Sequence, residues 1–547
     1  MDTSVGGGGS PAAPGGGSMI DEDERQLAGF GYRQELHRVL SFFENFSVAF
    51  CYISPVVGIY SLFVLGLGSA GPRYLWLMPI PVVGQLLVAL VFAELGSSYP
   101  IAGALFQWGK NLLGAGYGWW VGWTYGWALI ITVAAVDTGV VFYASPLINK
   151  YFHTHFNPLN PNTVLLFTLA LLAIQTSFNV VGVSFLGVIS KIGVWVEILG
   201  TFGIAALLAV AGFHHGLGFL FTTQGTQVAS TNPLGVDFGG RWLLGAAFVA
   251  VLAHVYIFYG FESAGDVAEE VVGATRRVPK AIVSSLLIGG VTSFVLVAAL
   301  ILAIPAGPKG FSTAASLAGG VPYIISSNIH SSAIQDIILL LVSFAFFSCG
   351  TAIQAAAARL TFSYARDGAL PGSSALRKVS KRFRTPVNAL LLAAIIPAIF
   401  SLLVHFTPSK PIKIGFITYP ANVNALFILV SFAVSGIYLA FQMVVVGALF
   451  ARLRGWRPTG PFQLGRWAYL VLAGALVYGI GMLVNILLPT GLNSPRGALF
   501  NYDWMTLIVV VLIALIGAVY FISARPQRRI ASRMGAKQEA STSVSGP

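Results

Sequence analysis

The stretch FFENFSVAFCYISPVVGIYSLFVLG (42–66) decides the fold. Its only ionisable side chain of the carboxylate or basic type is Glu44, near the start. As a helix it would cross the ~30 Å hydrocarbon layer of a bilayer, which takes ~20 apolar residues. Lipid offers no partner to bare backbone polar groups, so a run of this kind must be helical. Near its centre stands Ser54-Pro55-Val56-Val57-Gly58. Pro55 lacks an amide hydrogen and Gly58 weakens a helix, so an unwound turn here costs little.

Working outward, comparable runs recur near 74–97, 117–144, 163–180, 185–212, 242–268, 281–304, 334–362, 387–405, 423–450, 467–488 and 504–524, about twelve in all. The sixth carries a second interruption, Tyr259-Gly260-Phe261-Glu262-Ser263-Ala264-Gly265. If helices 1–5 and 6–10 form two repeats, the interruptions occupy matching first positions. Many secondary transporters place their substrate and ion sites at such paired breaks. The competing reading is a plain proline kink with close glycine packing, since both residues are common in membrane helices.

Composition agrees with this reading. Hydrophobic residues make up 56% of the 547 positions and charged residues 9%, against about 25% charged in an ordinary soluble domain. With the N-terminus placed inside, the segments between runs divide the 31 basic residues into 24 inside and 7 outside. The outside set is Arg73, Lys150, Arg241, Lys309, Lys410, Lys413 and Arg496. Cytoplasmic loops accumulate Lys and Arg, so both termini are expected in the cytoplasm. The net charge of +12 is then topology. No nucleic-acid partner is expected, because the basic 377–384 loop lies between two spans; anionic lipid headgroups suit it better.

Residues 1–28 read as a disordered cytoplasmic tail, Gly/Ser/Pro-rich over its first 18 positions, and 21–38 mix both charge signs in a way that suits a surface helix. Residues 29–525 form the transmembrane domain and 526–547 a cytoplasmic tail. The first apolar run starts only after position 41 and is too long for a signal peptide, so it is expected to be an uncleaved start-transfer helix. Cys51 and Cys349 both sit in apolar runs and read as small buried hydrophobes rather than a disulfide.

Three loop segments carry a family resemblance. AELGSSYPIAGALFQW (93–108), GFESAGDVAEEV (260–271) with RRVPKAI (276–282), and ARLTFSYARDGALPG (358–372) resemble, in order and in the right loops, the signatures of the amino acid–polyamine–organocation superfamily. The similarity runs from about residue 30 to 525. It implies a LeuT-like fold of two inverted five-helix repeats plus two further helices, with helices 1 and 6 broken, working by alternating access. One segment departs. Most members have a G-S/A-G-I-F type motif at the first break, whereas PVVGIY keeps only Gly58 and Ile59. That departure, with Glu197, is closer to the amino acid/choline/GABA branch, and it shifts expected recognition from the substrate carboxylate toward its amine.

Charges inside the runs are the next candidates, because each costs at least ~2.5–3.5 kcal/mol at a helix centre unless it has a partner or a wet cavity. Glu262 lies in the sixth-helix break; in similar exchangers a Glu in this context is linked to gating and proton sensing, and the bland alternative is a cap for the second half-helix. By resemblance, Glu197 falls where proton-coupled relatives place a lysine in place of a second sodium ion. A carboxylate there could bind Na⁺ or H⁺, with Ser348 and Thr351 of helix 8 completing the oxygen set; neutralisation by Lys191 and hydroxyl bonding to the helix backbone are the alternatives. Asp137 could accept an ammonium or a proton, or be held by Tyr125 or Trp127. The remaining aromatics of WWVGWTYGW (119–127) and the lone His254 read as packing and hydrogen-bonded interior residues. Glu269 and Glu270 are expected to join Arg276, Arg277, Lys280, Arg366 and Asp367 in an intracellular gate.

The substrate site is therefore expected between Ser54, Pro55, Val56, Val57 and Gly58 on one side and Tyr259, Gly260, Phe261, Glu262 and Ser263 on the other, with Asp137 nearby. Glu197, Glu262, Ser348 and Thr351 are the ion-coupling candidates. No metal site or cofactor is expected, and there is no P-loop, HExxH, GxSxG or CxxC to suggest an enzyme. The function expected is secondary active import of an amino acid or related amine across the plasma membrane, driven by a cation, preferably H⁺, or by exchange. A Na⁺-coupled or choline-type carrier, a channel, and a transporter-like nutrient sensor that binds without accumulating are the alternatives.

Overall fold

The computed structural model describes residues 19–223, 242–316, 318–405, 410, 412–414, 417–419, 425–487 and 504–534. Span 1 is broken into half-helices 1a (Phe42–Ile53) and 1b (Pro55–Ala70). Spans 2 to 5 are Pro79–Ser98, Ala115–Gly139 continued by Val141–Phe152, Pro161–Val181, and Val183–Ala211. Span 6 is again broken. Half-helix 6a opens with a π turn (Trp242–Ala246) and runs on as Ala247–Val255, and 6b is a short piece made of Ser263–Asp266 and Ala268–Glu270. Spans 7 to 12 are Ala274–Leu302, Ser332–Arg366, Val387–His405, Ala425–Leu453, Ala468–Leu487 and Met505–Ala524. Among the described residues ten helices are long and apolar enough to cross a membrane; span 9 has a shorter apolar core, Val387–Leu403, and span 6 is interrupted.

Which spans touch reveals the internal repeat. Span 1b packs on 6a, span 2 on span 7, span 3 on span 8 and span 4 on span 9. Cross pairs follow the same rule: span 3 lies against span 10 as span 8 lies against span 5. Spans 1 to 4 therefore each meet the span five places later, as two inverted five-helix repeats require. Spans 11 and 12 are peripheral, with 22% and 6% of their apolar windows buried against 83% in spans 1 and 3. Trp119 and Trp120 of span 3 pack on Phe521 of span 12, so that aromatic run is packing surface.

Some boundaries differ from expectation. The all-helical reading omits a small antiparallel hairpin between spans 9 and 10, in which Ile412–Ile414 pairs with Ile417–Tyr419. The surface helix expected within 21–38 is Met19–Gly29, which starts inside the segment read as a disordered tail and ends earlier, and residues 526–534 of the C-terminal tail are helical as well. Residues 1–18 and 535–547, and Arg241 and Arg496, lie outside the described residues.

Candidate functional site

The first break is a single residue. Ser54 adopts a left-handed conformation (φ 37°), receives 1a through its amide to the Phe50 carbonyl, and caps 1b by accepting from the Val57 amide at 3.3 Å. Pro55 then sits at the first helical position, where its missing N–H costs nothing. The expected unwound stretch 54–58 is thus too long: Val56, Val57 and Gly58 are already helical. Gly58 serves approach rather than unwinding, because a Cβ there would stand 2.6 Å from Ile257 Cγ1 and 3.2 Å from its Cα.

The second break is wider, with Tyr256 to Glu262 outside any helix. Gly260 has φ 113°, and a Cβ on it would lie 2.7 Å from the Tyr52 ring and 2.9 Å from the Ile53 amide nitrogen. The two breaks thus meet backbone to backbone, and glycine is required there twice over. Glu262 closes the loose turn by accepting from the Gly260 amide at 2.8 Å, while Ser263 Oγ donates to the Gly260 carbonyl at 2.7 Å.

Between the breaks lies a void of about 10 Å³, lined by Tyr52, Ile53, Val57, Gly58, Thr132, Val136, Tyr256, Tyr259, Cys349 and Ile353. That is room for one water molecule. Its aromatic wall is a chain of edge-to-face rings, Tyr52 on Tyr259 (6.0 Å) and Tyr259 on Tyr256 (5.8 Å). The hydroxyls of Tyr52 and Tyr256 are buried without a hydrogen-bond partner. Buried polar groups left unpaired cost roughly 1–3 kcal/mol each, so both are available to a polar ligand. Of the wall residues, Val57, Gly58 and Tyr259 were expected and Tyr52, Thr132 and Tyr256 were not; for Tyr52 and Tyr256 a hydroxyl-bearing side chain next to a break is the signal in the sequence.

Four charged or acidic sites stand around this void. Glu197 of span 5 points at the first break, where the Ser54 hydroxyl and the Val56 amide bear on its carboxylate. Neither of its oxygens has a hydrogen bond of normal geometry. Cys51 and Cys349, both free and buried, and Ser348 belong to the same neighbourhood, since Gly193 of the preceding turn abuts Cys51 Sγ and Ser348 Oγ. Lys191 does not neutralise Glu197, for it pairs with Glu44 at 2.9 Å. Ser348 and Thr351 bond back to the carbonyls of Ala345 (3.1 Å) and Phe347 (2.7 Å). Asp137 is held by Gln175 of span 4 at 2.8 Å, not by Tyr125 or Trp127, and its other oxygen has no partner. It follows Val136 of the void wall but does not itself line the void. Tyr125 instead reaches Glu262 (3.2 Å) and Asp266 (2.7 Å). His254 is a packing residue, stacked on Tyr74 and bonded to that residue's carbonyl at 3.0 Å.

Beyond 6b, toward the end of the bundle that carries residues 366–384, the three loop signatures converge. Arg359 grips Glu270 with two bonds of 3.1 Å, and Arg366 grips Glu269 with bonds of 2.9 and 2.6 Å. Glu269 also accepts the Ala102 amide at 3.1 Å, and Gln107 donates to Ser363 at 2.8 Å. Lys110 pairs with Asp367 at 2.6 Å and with the Tyr32 hydroxyl at 2.5 Å, while Arg366 lies 4.0 Å over the Tyr32 ring. Burial lowers the Lys110 pKa, and Asp367 works against that shift. Residues 39–40 join the sheet-like closure, their amides donating to the Glu270 carbonyl. Arg359 is 1% exposed and Glu270 fully buried, so neither could hold its charge alone. The expected partners Arg276, Arg277 and Lys280 are not in these ion pairs; Arg276 and Lys280 are exposed. Arg359 and Lys110 were missed. A lone cation in an apolar run, Arg359 in AAAARL, is the same signal in the sequence as a lone carboxylate.

At the opposite end Tyr60, Tyr143 and Phe346 form a buried aromatic plug, with Tyr143 donating to the Tyr60 carbonyl at 2.8 Å. The void is therefore shut on both sides.

The amino acid permease family model matches residues 40–514. The chain is similar to the rice (Oryza sativa subsp. japonica) amino-acid permease BAT1 homolog, 27% identical over 94% of this chain and 96% of the relative. It is also similar to the Saccharomyces cerevisiae GABA-specific permease, 24% identical over 88% of this chain and 81% of that protein. Among solved structures it shares the fold of MhsT in complex with L-phenylalanine, with TM-score 0.56 and 14% identity over 82% of this chain and 99% of that one. A family match from residue 40 to 514, on two inverted five-helix repeats with broken first helices, makes the chain a member of the amino acid permease family in the amino acid–polyamine–organocation superfamily, a multi-pass membrane protein of LeuT-like fold.

Proposed function

We propose that the protein imports amino acids or related amines across the plasma membrane by alternating access, coupled to protons, with both termini cytoplasmic. The observation that carries this reading is the shut void walled by both breaks, with a carboxylate in one break and a stack of buried ion pairs beneath it. Substrate occupies the void once the tyrosines swing apart, since one water is all it holds when shut. Tyr52 and the span 1 break (Ser54, Pro55, Val56, Val57, Gly58) contact it from one side, and Tyr256, Tyr259, Gly260, Phe261, Glu262 and Ser263 from the other. Asp137 offers its unpartnered oxygen to an ammonium group from span 3. Glu269–Arg366, Glu270–Arg359 and Lys110–Asp367 form the cytoplasmic gate, which breaks for release. Glu262 carries the proton at the site.

A second reading concerns the ion. The Glu197 carboxylate has no hydrogen bond of normal geometry beside the Ser54 break and Ser348, which favours a cation such as Na⁺ there, whereas the Val56 amide at the positive end of 1b favours a simple capping role.

Uptake of radiolabelled α-amino acids, GABA, choline and polyamines into proteoliposomes, with pH and Na⁺ gradients imposed separately, tests both. Accumulation driven by a pH gradient and lost in Glu262→Gln supports proton coupling. Uptake that needs Na⁺, ignores pH and fails in Glu197→Gln replaces it with sodium coupling. Binding without accumulation would make the protein a sensor. An Asp137→Asn variant with unchanged affinity for neutral and cationic substrates would remove Asp137 from the site.

A further inference from the structure

Glu262 and Asp266 are one helical turn apart, the Asp266 amide donating to the Glu262 carbonyl at 3.3 Å, so both carboxylates stand on one face of 6b. Both are fully buried. A single hydroxyl, that of Tyr125, touches both, at 2.7 Å to Asp266 and 3.2 Å to Glu262. A phenol has one proton to donate. With both acids ionised, one of those two contacts would set oxygen lone pairs against each other, and two like charges would share a dry site without a bonded cation. One added proton repairs both defects: held on Asp266, it is donated to Tyr125, and Tyr125 donates to Glu262, which also accepts the Gly260 amide.

The other groups facing the pair are few. Tyr52 of span 1a bears on both carboxylates, its hydroxyl buried and unpartnered, and it also lines the substrate void. Tyr259 faces Glu262 from the void wall. The cation that acts on Asp266 is Arg359 of span 8, already held by Glu270. Lys110, on the short helix Ala104–Leu113 between spans 2 and 3, is taken by Asp367. The second oxygen of Asp266 has no partner.

We propose that Asp266, joined to Glu262 through the Tyr125 hydroxyl, is the proton switch of the cytoplasmic gate: the three groups share one proton, and its departure from Asp266 draws Arg359 away from Glu270. This rests on the proton-coupled reading above. The closed state is reloaded when Glu262 takes up a proton: the Glu262 O–H bond breaks as its proton joins the Tyr125 oxygen, while the Tyr125 O–H bond breaks and its proton joins Asp266; charge moves from Asp266 to Glu262 and every atom is conserved. Asp266 then releases the proton toward the opening gate, leaving a carboxylate that competes with Glu270 for Arg359. Substrate in the void touches Tyr52 and Glu262, which ties the first transfer to occupancy.

The test uses the full chain in proteoliposomes, with substrate uptake and intravesicular acidification read together, and with substrate counterflow as a coupling-independent control. Tyr125→Phe should keep counterflow and lose acidification and pH-driven accumulation; Asp266→Asn, which cannot acquire the charge that draws Arg359 away, should lose counterflow as well, and Asp266→Glu should restore part of all three. Tyr125→Phe removes one oxygen from a packed ring and decides the matter if Asp266→Asn does not fold. If wild-type uptake moves no protons, the proton-coupled reading itself fails. If wild type acidifies, Glu262→Gln abolishes that, and Tyr125→Phe and Asp266→Asn both acidify like wild type, proton coupling stands and the role of Asp266 is overturned.

Discussion

Two breaks related by the internal repeat occupy equivalent places and differ in chemistry. The span 1 break is one serine, neutral, capped by its own hydroxyl, and followed at once by a helix that begins on proline. The span 6 break runs over seven residues and holds a carboxylate, with a second one turn later. Topology is shared because it depends on where apolar runs and helix-weakening residues fall. Charge is not shared, because a buried acid survives only where tertiary neighbours answer it, and these lie around 6b: Tyr125, Arg359 and Arg366. At the first break the acid comes from another helix, Glu197 of span 5.

That contrast can be broken most severely on the charged side. Arg359→Ala leaves Glu270 buried and unpaired and should cost about 3–5 kcal/mol, read as loss of monodisperse protein and a large fall in Tm. The double variant with Glu270→Ala should recover part of it. Were the single variant as stable as wild type, the charge around 6b would not need its partners.

Glycine substitutions compare the breaks directly. Gly260→Ala meets a ring and a backbone nitrogen in a left-handed conformation, so about 1–3 kcal/mol of strain is expected together with loss of uptake. Gly58→Ala meets Ile257 Cγ1 at 2.6 Å and its Cα at 3.2 Å but in an ordinary helical conformation, and should cost less. The reverse order of Tm values would show that the crossing is governed from span 1.

Smaller effects belong to the neutral break. Ser54→Ala removes the cap of 1b and should lower stability by about 1 kcal/mol, while leaving the response to a pH gradient intact; loss of that response would bring the first break into proton coupling. Lys191→Ala breaks a partly exposed pair with Glu44 and should change stability by at most about 1 kcal/mol. It should leave ion dependence of uptake unchanged, because Glu197 does not rely on it.

Much of this was legible along the chain. Twelve runs, two interruptions and three loop motifs map onto the helices, the breaks and the buried ion pairs described. Glu262, Glu269 and Glu270 were found because a carboxylate in or beside an apolar run stands out. Arg366, the partner of Glu269, and Asp367 were among the expected residues, whereas Arg359, Tyr125 and Lys110 were not, since they lie 89, 137 and 257 positions from Glu270, Glu262 and Asp367, the groups they bond. Nearby cations misled: Arg276 and Lys280 adjoin the acids in sequence yet point to solvent, and Lys191 turns to Glu44.

Hydropathy and helix-breaking residues act within a few positions of themselves, so the sequence alone settled that the chain spans a membrane, roughly where, and which helices are interrupted. Partnership of buried charges, the one-residue width of the first break and the closed tyrosine void depend on helices brought together from distant parts of the chain. Those were decided only by the packed bundle, where burial makes every unpaired charge choose a neighbour.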